Sequence, residues 1–353
     1  MKIAVHYPDA IPVFSWAPNW VKALEEKGIT VIKTDLRTPD CIDKIRDCDG
    51  IMWHVFHSPD DKHAALRILP AIENVLGIPV YPNYASRWFF DEKTAQHYLF
   101  KAAGLPAIPS WVFWNFDQAH AFLKSCNYPL VFKLSVGASS ANVIKASNYK
   151  EAYELIISMF FKGRFPQVRL NEPQKLMPRR LKDIKLFLRR IYYAIPYIVK
   201  KQYPPLPPLQ YQPEKNYVYF QEFMPDNTHD IRITVIGKRA FGFTRDNRTD
   251  DFRASGSGRI CYDQSRIPLE AVKTAFEAAR RCSFQTMAMD FLRGPSGTPL
   301  LNELSYGYLA EAVDNTPGYW DSNLNWHSAR SRCEYLHVED FIECIKTGKP
   351  SLL

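Results

Sequence analysis

The sequence predicts an α/β parallel sheet in its N-terminal part, followed by an α+β region. Up to about residue 85, strand and helix patterns alternate one for one, as βαβ units require. Beyond that point strands come in pairs around short loops. The 353 residues, 46% of them hydrophobic, suffice for an ample core and for two or three domains.

The elements follow in chain order. "KIAVHY" is a strand, "WVKALEEKG" a helix closed by Gly28, "ITVIKTD" a strand and "CIDKIRDCD" a short helix. "GIMWHVF" is a strand, "DDKHAALRILPAIENVLG" a helix closed by Gly77, and "IPVYPN" a strand. Both glycines stand where a helix end favours a left-handed residue. Ligands of a parallel sheet gather at the carboxyl ends of its strands, which selects His6, Tyr7 and the "HVFHSPDD" loop. From about residue 86, "FDEKTAQHYLFKAAG" reads as a helix and "YPLVFKLSVGASSANVIKA" as two strands around a loop of small residues. "NYKEAYELIISMFF" is an amphipathic helix. "NYVYFQEFM" and "HDIRITVIGKRAFGFTR" are strand runs, "LEAVKTAFEAARRC" is a helix, and a Trp-rich tail closes the chain. The expected domains are 1–85, 86–216 with a basic insertion at 160–216, and 217–353.

Composition excludes several classes. The apolar run "IYYAIPYIV" contains a proline and is too short to span a bilayer. Met1 leads directly into a strand, and seven scattered cysteines without a CxxC pair read as reduced thiols, so a cytoplasmic protein is expected. The net charge of +8 is local: residues 160–216 hold thirteen Lys and Arg against three acids, a balance of +10. There "RRLKDIKLFLRRIYYAIPYIVKK" interleaves cations with apolar residues, which suits either an anionic membrane surface or a solvated basic helix. Nucleic acid is not expected, because no nucleic-acid module accompanies the charge.

Two places carry chemistry. In "MAMDFLRGPSGTPLLNELSYG" two apolar runs flank a turn, and each holds an acid, Asp290 and Glu303. Alternation sets Asp290 with Ala288 and Leu292, and Glu303 with Leu301 and Ser305. A carboxylate among core residues needs a partner. Two inward carboxylates suit Mg²⁺, or else a buried salt bridge to Arg or Lys. In "VFKLSVGASSANV", Lys133 sits inside an apolar strand and a small-residue loop follows; it either meets an anion, with backbone N–H groups approaching phosphate, or stands at a strand end and extends to water.

Five motifs in this order resemble the ATP-grasp superfamily: "DEKTAQHYLFKAAGLPAIPS", "YPLVFKLSVGASSANV", "YFQEFMPDNTHDIRITVIG", "DFRASGSG" and "MDFLRGPSGTPLLNEL". The nearest patterns are those of D-alanine–D-alanine ligase and the ribosomal-protein glutamate ligase branch. The resemblance implies an α/β pre-ATP-grasp domain followed by the two α+β subdomains of the ATP grasp. It implies ATP and Mg²⁺ as cofactors. Lys93 and Lys133 match the lysines that grip the α- and β-phosphates, and Gly137, Ala138, Ser139 and Ser140 match the loop that covers them. Gln221, Glu222 and Met224 match the hinge that pairs with adenine, through the backbone of Glu222 and Met224. Asp230 lies where an acid stands near the ribose or the substrate. Arg232 and Arg253 match cations aimed at the γ-phosphate and the acyl phosphate. Asp290 and Glu303 match the Mg²⁺ ligands, with Ser305 where the family usually has Asn. The covering loop holds one glycine where relatives often have three.

The tail "NELSYGYLAEAVDNTPGYWDSNLNWH" resembles ATP-grasp proteins of bacterial cell-surface polysaccharide synthesis, though Trp320 and Trp326 also suit simple packing. The "HVFHSPDDKH" run reads as a substrate loop ahead of a metal site. The function implied is a ligase joining a small-molecule or glycan carboxylate to an amine-type nucleophile through an acyl phosphate. A kinase on the same fold, or a non-catalytic membrane-peripheral or nucleic-acid-binding protein, is the alternative.

Overall fold

The computed structural model describes residues 1–137, 142–166, 212–248, 253–254 and 258–350. Ala138, Ser139, Ser140 and most of the basic insertion lie outside the described residues.

The N-terminal sheet is parallel, as the alternation requires. Strands β1 (Lys2–His6), β2 (Thr30–Thr34), β3 (Gly50–Met52) and β4 (Val80–Tyr81) are ordered β2-β1-β3-β4. The helix Ala17–Glu26 starts with Pro18 in its first turn, where a missing N–H costs nothing, and buries Ala17, Trp20, Val21 and Leu24 along one face. Gly28 and Gly77 both take positive φ after their helices.

A second sheet is antiparallel, ordered β5-β8-β6-β7, from β5 (Ser110–Phe113), β6 (Leu130–Lys133), β7 (Val143–Ala146) and β8 (Val218–Glu222). The helices Phe116–Leu123 and Tyr149–Ile157 cover it, each capped by an asparagine: Asn115 accepts from Gln118 N–H and Asn148 from Glu151 N–H. β5 and the helix after it are elements the sequence reading did not separate. The expected break at 216/217 also falls too early, because β8 pairs with β5 and β6 and so belongs to this sheet.

The third sheet contains β9 (His229–Ile236), β10 (Arg239–Asp246), β11 (Ile260–Cys261), β12 (Thr286–Arg293), β13 (Pro299–Ser305), β14 (Tyr319–Asp321) and β15 (Trp326–His327). Its path runs β13-β12-β9-β10-β14-β15, with β11 on β10. The single run expected at 229–245 is thus a hairpin, turning at Gly237 and Lys238. The Trp-rich tail forms β14 and β15, where Trp320 and Trp326 meet edge to face at 4.6 Å. The two rings thus pack against each other across the β14–β15 pair.

Among the described residues the apolar side chains form two hydrophobic cores. One is continuous through the N-terminal and third sheets, from Ile3, Trp20 and Trp53 to Met289, Leu301 and Phe341. The second sheet has its own, built on Leu130, Phe132, Ile156 and Phe220. The expected 1–85 unit therefore shares its core with the C-terminal part, and the C-terminal helix Cys333–Thr347 completes it. On that helix the buried His337 accepts from Trp20 Nε1–H at Nδ1 (3.2 Å) and meets the Tyr308 hydroxyl at Nε2 (2.6 Å).

Candidate active site

A cavity of about 140 Å³ opens between the second and third sheets. The second sheet contributes Val131, Lys133, Val143 and the β8 exit Gln221, Glu222, Phe223 and Met224. The third contributes Asp230, Asp290, Leu292, Asn302 and Glu303, while Lys93, Gly137 and Arg253 close the remaining sides. Most residues expected at a nucleotide site are thereby brought to one place. Arg232 and Ser305 are not in the lining.

The apolar end lies between Val131, Val143 and Leu292, beside the β8 exit. Glu222 N–H already donates to the Pro109 carbonyl at 2.8 Å, so any base contact from Glu222 must come from its own carbonyl.

The polar end is ruled by paired charges. Lys93, at the start of the helix Lys93–Ala102, donates to the Gly137 carbonyl at 2.7 Å and lies 3.1 Å from Glu303. Burial pulls its pKa down, but Glu303 and Asp91 outweigh that and raise it, so it is a fixed cation. Lys133, at the end of β6, donates to Asn302 Oδ1 at 2.8 Å. Its nearest acceptor is neutral. Burial therefore lowers its pKa to about 8 against the pull of Glu303.

Asn302 is a residue that sequence alternation missed. Asp290 pairs with Glu303 in the β12–β13 register, but Phe291 pairs with Leu301, so Asn302 is the extra residue of a β-bulge. The bulge corrects the expected facing: Leu301 and Leu304 are buried, while Asn302 and Glu303 both line the cavity. Ser305 pairs with Ala288, two residues beyond the Asp290–Glu303 pair.

Asp290 is held by cations. Arg232 reaches it through Nε and Nη2 at 2.6 and 2.7 Å, and Arg245 Nη2 reaches it at 2.7 Å. Arg245 also binds Asp230 at 2.8 and 2.6 Å. Two arginines and two aspartates thus form one network of zero net charge. Burial pushes Asp290 up, but Arg232 and Arg245 hold its carboxyl well below the usual range. Of the two readings open for the hairpin acids, the salt bridge is realised at Asp290. Arg232 is aimed at Asp290, and the carboxylate of Asp230 is engaged by Arg245. Arg245 carried no motif; its signal was a cation inside the apolar run "RAFGFTR".

These residues still fit Mg²⁺. An ionised carboxylate has about four lone-pair positions. Asp290 Oδ1 accepts one donor and Oδ2 two, and Glu303 is partly exposed with one lysine contact. Ionised oxygens with spare capacity therefore stand opposite each other on one hairpin. Mg²⁺ typically takes one or two carboxylates and completes its shell with water and phosphate oxygens.

A second cavity, of about 520 Å³, lies at the carboxyl edge of the N-terminal sheet. His6, Arg37, His54, His57, Asp61 and Tyr308 contribute to its wall, so the edge selected from sequence does border an open space. Leu36 N–H donates to His6 Nδ1 at 3.1 Å and Trp16 N–H to His54 Nδ1 at 3.3 Å. Each neutral ring then carries its proton on Nε2. Burial lowers His6 to about 4, against Asp35, and His54 to about 3. Burial pushes Asp61 up to about 6, although Phe56 N–H donates to it at 2.7 Å. Both cavities touch the stretch after the bulge: Glu303 lines one and Gly307 the other, a chain distance of at most about 14 Å.

No protein-family model matches the sequence, and no curated protein does. Solved structures do. The chain is similar to D-alanine–D-alanine ligase from Bacillus anthracis, with 13% identity, TM-score 0.55 and 99% of each chain covered. It is similar to a D-cycloserine synthetase at 12% identity and TM-score 0.54, covering 98% of this chain and 99% of that one. It is also similar to a Chryseobacterium gregarium RiPP-associated ATP-grasp ligase, solved with ADP and a leader and core peptide. There the identity is 13%, the TM-score 0.53, and the coverage 99% of this chain and 98% of that one. The fold these structures share is the ATP grasp. This chain has that fold.

Proposed function

We propose that the protein is an ATP-dependent ligase that activates a carboxylate as an acyl phosphate and passes it to an amine or related nucleophile. The observation that carries this reading is the convergence of Lys93, Lys133, Arg253, Asp290 and Glu303 on one cavity, beneath the β8 exit Gln221 to Met224. The apolar slot suits a base, and the lysines suit phosphates. Mg²⁺, bound by Asp290 and Glu303, would neutralise charge on the phosphates. Lys93 and Lys133 orient and neutralise the same groups, and Arg253 stands beside them for charge that develops during transfer. Asp230 and Arg245 hold Asp290 in place through their ion-pair network.

The second cavity is the place for the carboxylate or its acceptor. Two of its three imidazoles, His6 and His54, offer Nε2–H donors, and its wall carries Arg37 and Asp61. A surface-glycan substrate is the finer reading, supported by the resemblance of residues 302–327. The basic segment 160–216 fits contact with an anionic membrane, which would bring the site to a lipid-linked acceptor. Cosedimentation with anionic vesicles, released by salt and lost when Arg179, Arg180, Arg189 and Arg190 are changed to Glu, checks that part.

Phosphate release from ATP, screened against pooled acids and amines, tests the chemistry. Hydroxylamine should trap the activated acid as a hydroxamate. A stable phosphorylated product that forms without any amine would contradict the ligase reading and favour a kinase.

A further inference from the structure

Three successive backbone N–H groups beside the nucleotide cavity are held by two carboxylates. Ser135 N–H donates to Glu214 Oε2 at 2.8 Å and Val136 N–H to Glu214 Oε1 at 3.1 Å. Gly137 N–H donates to Asp91 Oδ1 at 2.8 Å. The next group along, the Gly137 carbonyl, accepts from Lys93, which reaches Glu303. Gly137 sits at φ +121, and a Cβ there would run into Asn142 Nδ2, so only glycine fits at this position.

Glu214 is itself fixed. Its N–H and carbonyl exchange hydrogen bonds with those of Arg164, both at 2.9 Å. The Tyr217 hydroxyl bonds its Oε2 and also accepts from Ser135 N–H at 2.7 Å. Arg164 precedes the basic segment's densest charge and Glu214 follows it. Read from sequence, Glu214 is merely one of three acids among thirteen cations.

We infer that Glu214 is a positioning residue of the nucleotide site, acting on bound phosphates through Ser135, Val136 and Gly137. The inference rests on the ATP reading above. A carboxylate is the one side-chain group that accepts from two neighbouring N–H groups through two equivalent oxygens. Glutamine offers one acceptor oxygen and turns its NH₂ toward the other N–H, so one hydrogen bond is lost and two donors oppose each other. The backbone leading to Gly137 then shifts, and Lys93 loses its alignment. The base slot at Val131, Val143 and Leu292 shares none of these hydrogen bonds, so the effect falls on ligands that carry phosphates.

Titration calorimetry with ADP and with adenosine, on the full chain, reads this out. Glu214→Gln should weaken ADP roughly tenfold and leave adenosine unchanged. Tyr217→Phe, which keeps the buried ring, should show a smaller loss in the same direction. Lys215→Ala, on the exposed neighbour, should change neither. Unchanged ADP affinity in Glu214→Gln, or equal weakening of ADP and adenosine, overturns the inference while the ATP reading stands. A wild-type protein that binds neither ligand overturns both.

Discussion

Asp290 and Glu303 face each other in the hairpin register, yet they answer to different cations: Arg232 and Arg245 hold Asp290, while Lys93 lies 3.1 Å from Glu303. Removing one acid is therefore a different experiment from removing the other. Asp290→Asn leaves the buried Arg245 and the partly buried Arg232 with Asp230 as the remaining acid of the network. Breaking a buried pair in this way costs about 3–5 kcal/mol. Glu303 is partly exposed, and Glu303→Gln should cost about 1 kcal/mol or less. Urea denaturation of both variants checks this. A stable Asp290→Asn would mean that the network adds little.

Lys133 makes nucleotide affinity pH-dependent. Its pKa of about 8 lies below the ordinary lysine value of 10.5 because burial outweighs Glu303. Below pH 8 the lysine is charged in both folded and unfolded chains, and the burial penalty is fully present. Between about pH 8 and 10.5 the folded chain gives up the proton first, so the penalty is relieved. Phosphates favour the charged form, so binding above pH 8 takes up a proton. ADP affinity should fall by up to about tenfold per pH unit there. Lys133→Arg should flatten the slope. Titrations at pH 7, 8 and 9 measure it, and a flat wild-type profile would place Lys133 away from the phosphates.

The N-terminal cavity makes the fold sensitive to acid. His6 and His54 stay neutral when folded, down to about 4 and about 3, chiefly through burial. Above pH 6.5 they are neutral in both states and stability is complete. As pH falls from 6.5 toward 4, the unfolded chain takes up protons that the folded chain refuses, and stability is lost. The loss is on the order of 3 kcal/mol for each histidine. Asp61, raised to about 6 by burial, acts in the opposite sense, gaining stability below pH 6. Asp61→Asn should therefore steepen the loss and His54→Phe should shallow it, read as denaturation midpoints at pH 7 and pH 5.

How much of this was legible depends on the range of the signal. The parallel strands and their helices were plain, because period and helix-end glycines are local. Lys93, Lys133, Asp290 and Glu303, which line the cavity, all stood within short local motifs. The bulge at Asn302 was not legible, since one extra residue is invisible to a period-2 pattern and exists only against β12. Arg245 and Glu214 were hidden for a related reason: their partners Asp290, Asp230, Ser135 and Val136 come from distant parts of the chain. The break at 216/217 was set by composition, which changes where the basic segment ends, while sheet pairing carries β8 back to β6.

The C-terminal helix depends on a chain of hydrogen bonds. Trp20 Nε1–H donates to His337 Nδ1, so His337 carries its proton on Nε2 and donates to Tyr308. Tyr308 O–H is then left to donate to Thr286, at 2.6 Å. Tyr308→Phe removes the middle of this chain and leaves His337 Nε2–H buried without an acceptor. A loss of about 1–3 kcal/mol is expected. Equilibrium denaturation tests it, and a neutral outcome would show that water or a rearranged side chain takes over.

Calorimetric titration of the full chain with ATP, with and without Mg²⁺, tests the nucleotide site most directly. The expected result is binding that Mg²⁺ strengthens in the wild type, with the Mg²⁺-dependent part lost in Glu303→Gln and adenosine binding unchanged in that variant. No heat of binding at millimolar ATP, or binding that ignores both Mg²⁺ and Glu303→Gln, would contradict the assignment of the cavity between Lys93, Lys133 and Glu303.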